Sequence, residues 1–376
     1  MQQAPPSRVL DLFLELCAIP SPSGEERAVA DRVVGELDAI GLEWEEDDCG
    51  PGIGATAGNV LCRVPGATAP GLPIFLCAHF DTVPVGGELD PRVEEGVVRN
   101  TAAAILGADN KSAIAVMVEA ARRIVIERRP HAGLELLFTP KEEVGLVGAA
   151  AFDVGRLEAR VGYVYDQAAP IGDVVLGSPS AQELRLTLVG RAAHAGMYPE
   201  DGRSAIVAAA RAVADMPHGR LDDETSVNVG VIRGGTARNV VPERCTLEAE
   251  VRSHDHHRVG EVVQQLVDAA AFAASLSDCT LETSIEPKYR GYRLRDDGVG
   301  VTLAVEALSR AGFEPRLGLS GGAADANVFN ARGLECVNLA NGMADIHTPD
   351  ESIAVEDLDC MVDVTLELVD AAREHG

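Results

Sequence analysis

The chain has 376 residues, of which 46% are hydrophobic, so it can bury a large core and is long enough for two domains. Its formal net charge of -27 argues against nucleic acids and anionic membrane surfaces as partners, because both would repel it. The chain begins without the basic and apolar regions of a secretory signal, and no later segment approaches an uncharged run of membrane-spanning length. We therefore expect a cytoplasmic protein.

The first half of the chain alternates helical and strand patterns. Apolar residues at helical spacing predict helices, which cover residues 7–17, 25–40 and 110–125. Short apolar runs predict strands, which cover residues 59–64, 73–78, 133–139 and 162–166. Strands that alternate with helices are typical of an α/β domain, with a mainly parallel sheet and helices on both faces.

The pattern changes after residue 177. The next strand alternates polar and apolar side chains, as an antiparallel strand with one exposed face does. The elements predicted from here are strand, helix, strand, strand, helix and strand, over residues 183–189, 201–216, 226–232, 245–251, 255–276 and 281–285. This order is typical of a small α+β domain with the split βαβ, ferredoxin-like arrangement.

From about residue 289 the first pattern resumes. Helices are predicted over residues 299–311, 324–331 and 356–375, and strands over residues 315–319 and 336–339. We therefore predict a discontinuous α/β catalytic domain, residues 1–177 and 288–376, which is interrupted by an inserted α+β lid or dimerisation domain, residues 178–287.

Potential metal ligands occur where predicted strands end. The eight cysteines form no Cys-x-x-Cys pair, and several lie in apolar patterns, which favours buried thiols over a disulfide framework or a four-cysteine zinc site. Imidazoles and carboxylates instead follow strands or begin helices, at His79, Asp81, Asp109, Glu142, Glu143, Asp166 and His347. Each alone has a simpler explanation as a loop charge or helix cap, but parallel strands end at one edge of a sheet. Together they can hold two Zn²⁺, or Mn²⁺ or Co²⁺, with one bridging carboxylate and a glutamate as the base for an attacking water.

In this order, the motifs resemble those of the dinuclear zinc exopeptidases and deacylases that include aminoacylase, glutamate carboxypeptidase and peptidase T. The resemblance runs from the Ile-Pro-Ser-Pro-Ser-Gly-Glu-Glu stretch at residues 19–26 to His-Thr-Pro-Asp-Glu at residues 347–351. It implies a zinc-exopeptidase fold with two Zn²⁺ per subunit, bound by His79, Asp109, Glu143, Asp166 and His347. It also implies that Asp109 bridges the metals, Asp81 orients His79 and Glu142 is the general base.

Three segments resemble the peptidase T branch, the tripeptide aminopeptidases: residues 78–83, 107–111 and 139–146. The resemblance implies a metal-dependent hydrolase that cleaves an amide bond in short peptides and releases the N-terminal residue. Deacylation of N-acyl amino acids, or carboxypeptidase action, would use the same metals with a different lid pocket. A non-catalytic binding protein of the same fold is disfavoured because the general base, Glu142, is present.

The inserted domain carries three further candidates. His194, in a Gly-x-x-x-His-Ala-Gly context, resembles the lid histidine of the family, which in a homodimer reaches the neighbouring active site and donates to the developing oxyanion. Asn239 and Arg252 resemble groups that hold the terminal carboxylate or the amide of the substrate. For Arg252, a salt bridge at the end of a strand is an equally good interpretation.

A glycine-rich turn precedes the predicted helix 324–331. Gly321 and Gly322 could present backbone amides to the substrate, while Asp325 could cap the helix or recognise an α-amino group. Phosphate binding is disfavoured because no Walker motif is present. We expect the histidines at positions 254, 256 and 257 to be surface residues, and the sequence indicates no role for Lys111.

Overall fold

The structure is a computed structural model, and it describes residues 8–65 and 70–375. It divides into two compact units, Met1–Gly177 with Arg293–Gly376, and Ser178–Tyr292. The predicted start of the first helix, residue 7, lies outside the described residues. Among the described residues, no helix combines the length and the apolar character needed to cross a membrane.

The first unit consists of two stretches of chain. The elements of the first stretch are α1 (Val9–Cys17), α2 (Arg27–Ile40), β1 (Glu43–Glu46), α3 (Cys49–Ile53), β2 (Val60–Val64), β3 (Ile74–His79), β4 (Pro91–Glu94), β5 (Val97–Asn100), α4 (Ala108–Glu127), β6 (Leu134–Thr139), α5 (Val147–Ala151), β7 (Val161–Gln167) and β8 (Asp173–Ser178). The second unit contains β9 (Ser180–Val189), α6 (Ala205–Asp215), β10 (Gly219–Asp222), β11 (Thr225–Gly234), β12 (Arg244–Ser253), α7 (His256–Leu276) and β13 (Thr280–Tyr289). The chain returns through β14 (Tyr292–Arg293) and continues with α8 (Val299–Arg310), β15 (Arg316–Leu319), α9 (Ala326–Ala331), β16 (Glu335–Ala340), β17 (Ser352–Ala354) and α10 (Val355–Glu374).

The central sheet of the first unit is mainly parallel. Its strands run in the order β1-β2-β6-β3-β7-β16-β8, with β15 beside β8. The four strands β6, β3, β7 and β16 are parallel, while β1 and β2 are antiparallel at one edge and β8 is antiparallel to β16. Every residue of β3 and β6 is buried, as expected for strands covered on both faces. The predicted α/β class is confirmed.

Helix α4 lies at the centre of the packing in this unit. It contacts β3 and β7 as well as the helices α1, α2 and α10. Its residues from Ala108 to Ala121 are buried, which suits a helix rich in Ala and Val with apolar residues around its circumference. The dihedral angles of Asp109 and Asn110 are not helical, so the regular helix begins at Lys111. The first turn of α4 therefore has a conformation that other parts of the chain must stabilise.

The second unit has one antiparallel sheet and two helices. The strand order is β10-β11-β12-β9-β13, and α6 and α7 contact each other and the sheet. Strand β12 alternates buried and partly exposed residues along most of its length, as its sequence pattern predicts. The predicted strand-helix-strand-strand-helix-strand order is present as β9, α6, β11, β12, α7 and β13, and the edge strand β10 is additional. The predicted α+β insertion is confirmed.

Candidate metal site

The predicted metal ligands of the first unit follow the ends of neighbouring strands. Strand β3 ends at His79, which lies opposite Thr139, the last residue of the parallel strand β6. Glu142 and Glu143 follow Thr139 in a tight turn, and Asp166 lies near the end of β7. Because these strands are parallel neighbours, their carboxyl ends meet at one edge of the sheet.

Asp109 contacts both histidines of the site. Its Oδ1 lies 3.1 Å from His79 Nε2, and its Oδ2 lies 3.2 Å from His347 Nε2. Asp166 Oδ1 is 3.9 Å from the same nitrogen of His79, and Glu143 Oε1 is 3.0 Å from that of His347. Three potential ligand sets occur among the described residues, and two of them share one carboxylate: His79, Asp109 and Asp166 form one, and Asp109, Glu143 and His347 form the other. The third set, His79, Glu142 and Glu143, includes the predicted base.

The chemistry of these donors suits divalent metal ions. Both sets consist of imidazole nitrogens and carboxylate oxygens, which Zn²⁺, Mn²⁺ and Co²⁺ accept. The ligand atoms within each set lie within 4.8 Å of one another, so a single ion can reach all three. Five acidic side chains converge here with only two imidazoles, so bound cations would offset a surplus of negative charge. The residues present therefore fit a pair of divalent ions.

The protonation of the site reflects this surplus. Burial raises the pKa of Glu142 and of Asp166 well above the usual range, and neighbouring carboxylates add to the effect. Hydrogen bonds to Asp109 and Glu143 raise the pKa of His347 to about 10. Burial disfavours the charged form of His79, but hydrogen bonds to Asp109 and Asp81 raise its pKa above the ordinary value.

Asp81 anchors the turn that carries the two glutamates. Its carboxylate accepts hydrogen bonds from Glu142 N at 2.9 Å, Glu143 N at 3.2 Å and Ser23 Oγ at 2.6 Å. His79 Nδ1 lies 2.9 Å from the backbone oxygen of Asp81 and 3.5 Å from its Oδ1. These contacts direct the proton to Nδ1 and leave Nε2 free to bind a metal. Sequence reasoning proposed the contact with His79, but it missed Ser23 and the two backbone amides.

Buried asparagines hold the end of β7 in place, and sequence reasoning missed them. Asn338 on β16 accepts a hydrogen bond from Asp166 N and donates one to Asp166 O, both at 2.9 Å. Asn110 and Asn341 each donate to the backbone oxygen of Tyr165, at 2.9 and 3.0 Å. Asparagine is depleted in strands, so an Asn within the apolar pattern of β16 was the available signal.

Lys111 also has a structural partner. Its side chain is 1% exposed, and Nζ donates to Ile19 O at 2.6 Å. Burial lowers the pKa of this ammonium group to about 8. Lys111 therefore connects the start of α4 to the loop that follows α1.

The three candidates of the second unit, His194, Asn239 and Arg252, belong to none of the potential ligand sets among the described residues. His194 is exposed, and its Nδ1 accepts hydrogen bonds from Gly196 N at 3.2 Å and Met197 N at 3.1 Å, which assigns the proton to Nε2. Asn239 is exposed, and its backbone oxygen accepts from Ala195 N at 3.0 Å. Arg252 forms a salt bridge with Glu250, with Nε 2.7 Å from Oε1. This contact is the salt bridge that the sequence suggested as one of two interpretations of Arg252.

The glycine-rich turn lies between β15 and α9. Gly321 is exposed, and Gly322 N donates to Ser320 Oγ at 3.1 Å. Asp325 is only 2% exposed, and its Oδ2 accepts hydrogen bonds from Thr139 Oγ1 at 2.5 Å and Cys77 Sγ at 3.8 Å. Its side chain forms no cap hydrogen bond, so the capping interpretation is wrong. The carboxylate instead joins this turn to the ends of β3 and β6.

The remaining histidine cluster and the cysteines have no place in the site. His256 and His257 are exposed and His254 is partly exposed, and none belongs to a potential ligand set among the described residues. All eight cysteines are free thiols, and the buried ones are Cys17, Cys62, Cys77, Cys245 and Cys336.

Two families match separate parts of the chain. Residues 176–275 match the M20 peptidase dimerisation domain, and residues 59–166 match peptidase family M28. The first match falls largely on the second unit, and the second spans the segment from β2 to Asp166.

Several proteins are similar to the chain over nearly its whole length. The uncharacterized protein YqjE of Bacillus subtilis (strain 168) is 35% identical over 367 residues, covering 98% of this chain and 99% of that protein. The crystal structure of aminopeptidase PepT from Bacillus cereus ATCC 10987 has a TM-score of 0.89 and 34% identity, covering 97% of this chain and 98% of that one. A tripeptidase from Staphylococcus aureus subsp. aureus Mu50 has a TM-score of 0.93 and 32% identity, covering 98% of both chains.

Proposed function

Because the chain belongs to the M20 family of metallopeptidases, we propose that it is an exopeptidase that cleaves short peptides and releases their N-terminal residue. The observation that carries the proposal is the Asp109 carboxylate, shared between two imidazole-carboxylate sets beside the buried Glu142. The similarity to an aminopeptidase and a tripeptidase over nearly the whole chain supports release from the amino end.

We assign two Zn²⁺ ions to each subunit, with Mn²⁺ or Co²⁺ as substitutes. His79 and Asp166 would bind one ion, Glu143 and His347 the other, and Asp109 both. Ions in these positions would polarise the carbonyl of the scissile amide and lower the pKa of a water molecule. The shared position of Asp109, with a different oxygen facing each histidine, supports its role as the bridge.

Glu142 is the general base. Its carboxylate faces the site, with Oε2 4.0 Å from His79 Nε2, and its backbone is fixed by Asp81. Burial raises its pKa, which makes it a stronger proton acceptor than an exposed glutamate. It takes a proton from the attacking water and later passes that proton to the nitrogen of the leaving amine. Asp81 holds both the backbone of Glu142 and the His79 ring in position.

The inserted unit acts as the lid and the dimerisation domain. The match to a peptidase dimerisation domain supports a homodimer formed through this unit. With Nδ1 accepting two backbone hydrogen bonds, His194 presents an N–H donor at Nε2, as stabilisation of an oxyanion requires. Asn239 and Arg252 would contact the substrate backbone or its terminal carboxylate. For Arg252 this requires the guanidinium to exchange Glu250 for the substrate. The free thiols suit a reducing compartment, and we place the enzyme in the cytoplasm.

Blocked peptides test the direction of cleavage. The metal-reconstituted protein is incubated with a tripeptide that has free termini, its N-acetylated form and its C-terminal amide, and the products are identified by mass spectrometry. We expect release of the N-terminal residue from the free and amidated peptides only. Cleavage of the N-acetylated peptide, or release of the C-terminal residue, would instead indicate a deacylase or a carboxypeptidase with the same metal site.

A further inference from the structure

Glu351 places a buried carboxylate against the start of α4. The residue is 2% exposed and lies four positions after His347 in the chain. Its Oε2 accepts hydrogen bonds from Leu106 N at 2.8 Å and Gly107 N at 2.7 Å, and its Oε1 accepts from Asp109 N at 3.0 Å. One carboxylate thus accepts three backbone hydrogen bonds from the segment that carries Asp109.

This segment needs external hydrogen-bond acceptors. The first N–H groups of a helix have no partner within the helix, and here the first turn is also irregular. Gly107 has a left-handed conformation with φ of 77°, and Asp109 has φ of -81° and ψ of 104°. No side chain of the N-cap residue can help, because that residue is Gly107. Glu351 supplies the missing acceptors.

The same loop controls the position of the second histidine. Glu351 N donates to Thr348 O at 3.2 Å, which closes a turn directly after His347. The buried ammonium group of Lys111 attracts the Glu351 carboxylate from the α4 side and is itself bonded to Ile19 O. Glu351 therefore links the segment of Asp109, through its side chain, to the loop of His347, through its backbone, across the 238 positions (347 minus 109) that separate the two ligands.

We infer that Glu351 is a positioning residue for the metal site, which fixes the backbone of Asp109 so that its two oxygens meet both ligand sets. The inference rests on the proposed metal site. A small rotation of the Asp109 backbone would displace both oxygens at once, so loss of the anchor weakens both ions. Partners of metal ligands typically contribute 10–100-fold in metal affinity.

Glu351→Gln is the test variant, and Glu135→Gln is the matched control. Glu135 is also a buried carboxylate of the first unit, and its Oε2 accepts from Glu158 N and Ala159 N, both at 2.9 Å. It lies near the start of β6, at the opposite end of the strand from Thr139. Both variants lose charge and backbone acceptors, but only Glu351→Gln affects the segment of Asp109.

Zn²⁺ affinity is measured by chelator competition, together with hydrogen exchange of the metal-free protein. We expect Glu351→Gln to lower Zn²⁺ affinity about 10–100-fold and to speed exchange at Leu106, Gly107 and Asp109. The control should keep wild-type affinity within about 2-fold while exchange quickens at Glu158 and Ala159. Wild-type affinity in Glu351→Gln, or an equal loss in the control, would overturn the inference.

A second variant and the exchange data keep the test decisive. If Glu351→Gln does not fold, Glu351→Asp, which keeps the charge but is one methylene shorter, should give an intermediate loss of affinity. If wild-type protein binds no Zn²⁺, the proposed function fails, yet the exchange rates at residues 106–109 still test the anchor. Unchanged exchange there in a folded Glu351 variant would overturn the inference independently of metal.

Discussion

Replacing Glu142 by Gln tests the role of the proposed base without changing a residue that we assign as a metal ligand. The amide has the same shape as the carboxylate, and the side chain is only 7% exposed, so the substitution fits the existing space. The backbone N–H that donates to Asp81 is unchanged. The variant therefore removes the proton acceptor and leaves the proposed ligands in position.

We expect two effects of this variant, one on the rate and one on stability. Loss of a general base lowers kcat by roughly 10²–10⁴-fold, equivalent to about 3–5 kcal/mol in the activation barrier. The metal-free protein should not lose stability. Because burial raises the folded-state pKa of Glu142 above the unfolded value of about 4.3, ionisation destabilises the fold increasingly as the pH rises through that interval. Gln carries no charge, so the melting temperature of metal-free protein at neutral pH should equal or exceed that of wild type.

Glu143→Gln is the matched control, because it changes the adjacent side chain by the same atoms. Glu142→Gln should bind two metal ions per subunit and lose turnover, whereas Glu143→Gln should lose affinity for an ion because Glu143 faces His347. Metal content is measured by atomic emission after dialysis, and turnover with a free tripeptide. Turnover of Glu142→Gln within about 5-fold of wild type would refute its role as base. Loss of metal from Glu142→Gln would show that Glu142 is a metal ligand instead.

Four further predictions concern other parts of the molecule. His194→Ala should lower kcat by roughly 10²–10³-fold with a smaller change in KM, and unchanged kcat would remove the residue from the reaction. Because the pKa of His347 is about 10 without metal, binding must displace its proton, so affinity should keep rising with pH above the ordinary histidine pKa of about 6.5 and level off near pH 10. Calorimetry in buffers of different ionisation enthalpy counts the protons, and pH-independent affinity would contradict the assignment. Gly162→Ala should destabilise by roughly 1–3 kcal/mol in denaturant titrations, because the added methyl group overlaps the Phe75 ring. Gly35→Ala, at an exposed helical position with open space, should instead stabilise by roughly 0.4–1 kcal/mol.

The long periodic elements were predictable because their burial is continuous. Helix α4 and strands β3 and β6 carry apolar patterns over their whole length, and their predicted bounds differ from the structure by at most two residues. The hairpin of β4 and β5 was missed because Pro91–Glu94 is mostly exposed and has no apolar alternation. Strand β17 has three residues and pairs with β5, so neither strand has a local signal that identifies its partner. Strand β8 was missed as well, although its Asp173–Ser178 segment pairs antiparallel with β16.

The identities of the proposed ligands were predictable, but the supporting contacts were not. His79, Glu142 and Glu143 follow apolar strands directly, so their position at a sheet edge follows from local sequence. Asn338 and Glu351 act on residues 172 and more than 240 positions away, and only the folded register brings them together. Asp325 illustrates a different difficulty, because its glycine-rich context is compatible with several contacts. The sequence suggested a helix cap or a substrate contact, whereas the structure shows a buried hydrogen bond from Thr139.

The start of α4 combines two features that conventional helices avoid. Its first turn has irregular backbone angles and places the carboxylate of Asp109 between two imidazoles rather than on its own backbone. If Asp109 capped the predicted helix 110–125, its carboxylate would accept from the N–H groups of the following turn and would be unavailable for other contacts. In the structure the Asp109 carboxylate meets both imidazoles, while Glu351, 242 positions away, accepts from the backbone N–H of Asp109. The backbone of this turn thus depends on a distant residue, and local sequence rules, which would assign Asp109 to a cap, give no sign of that contact.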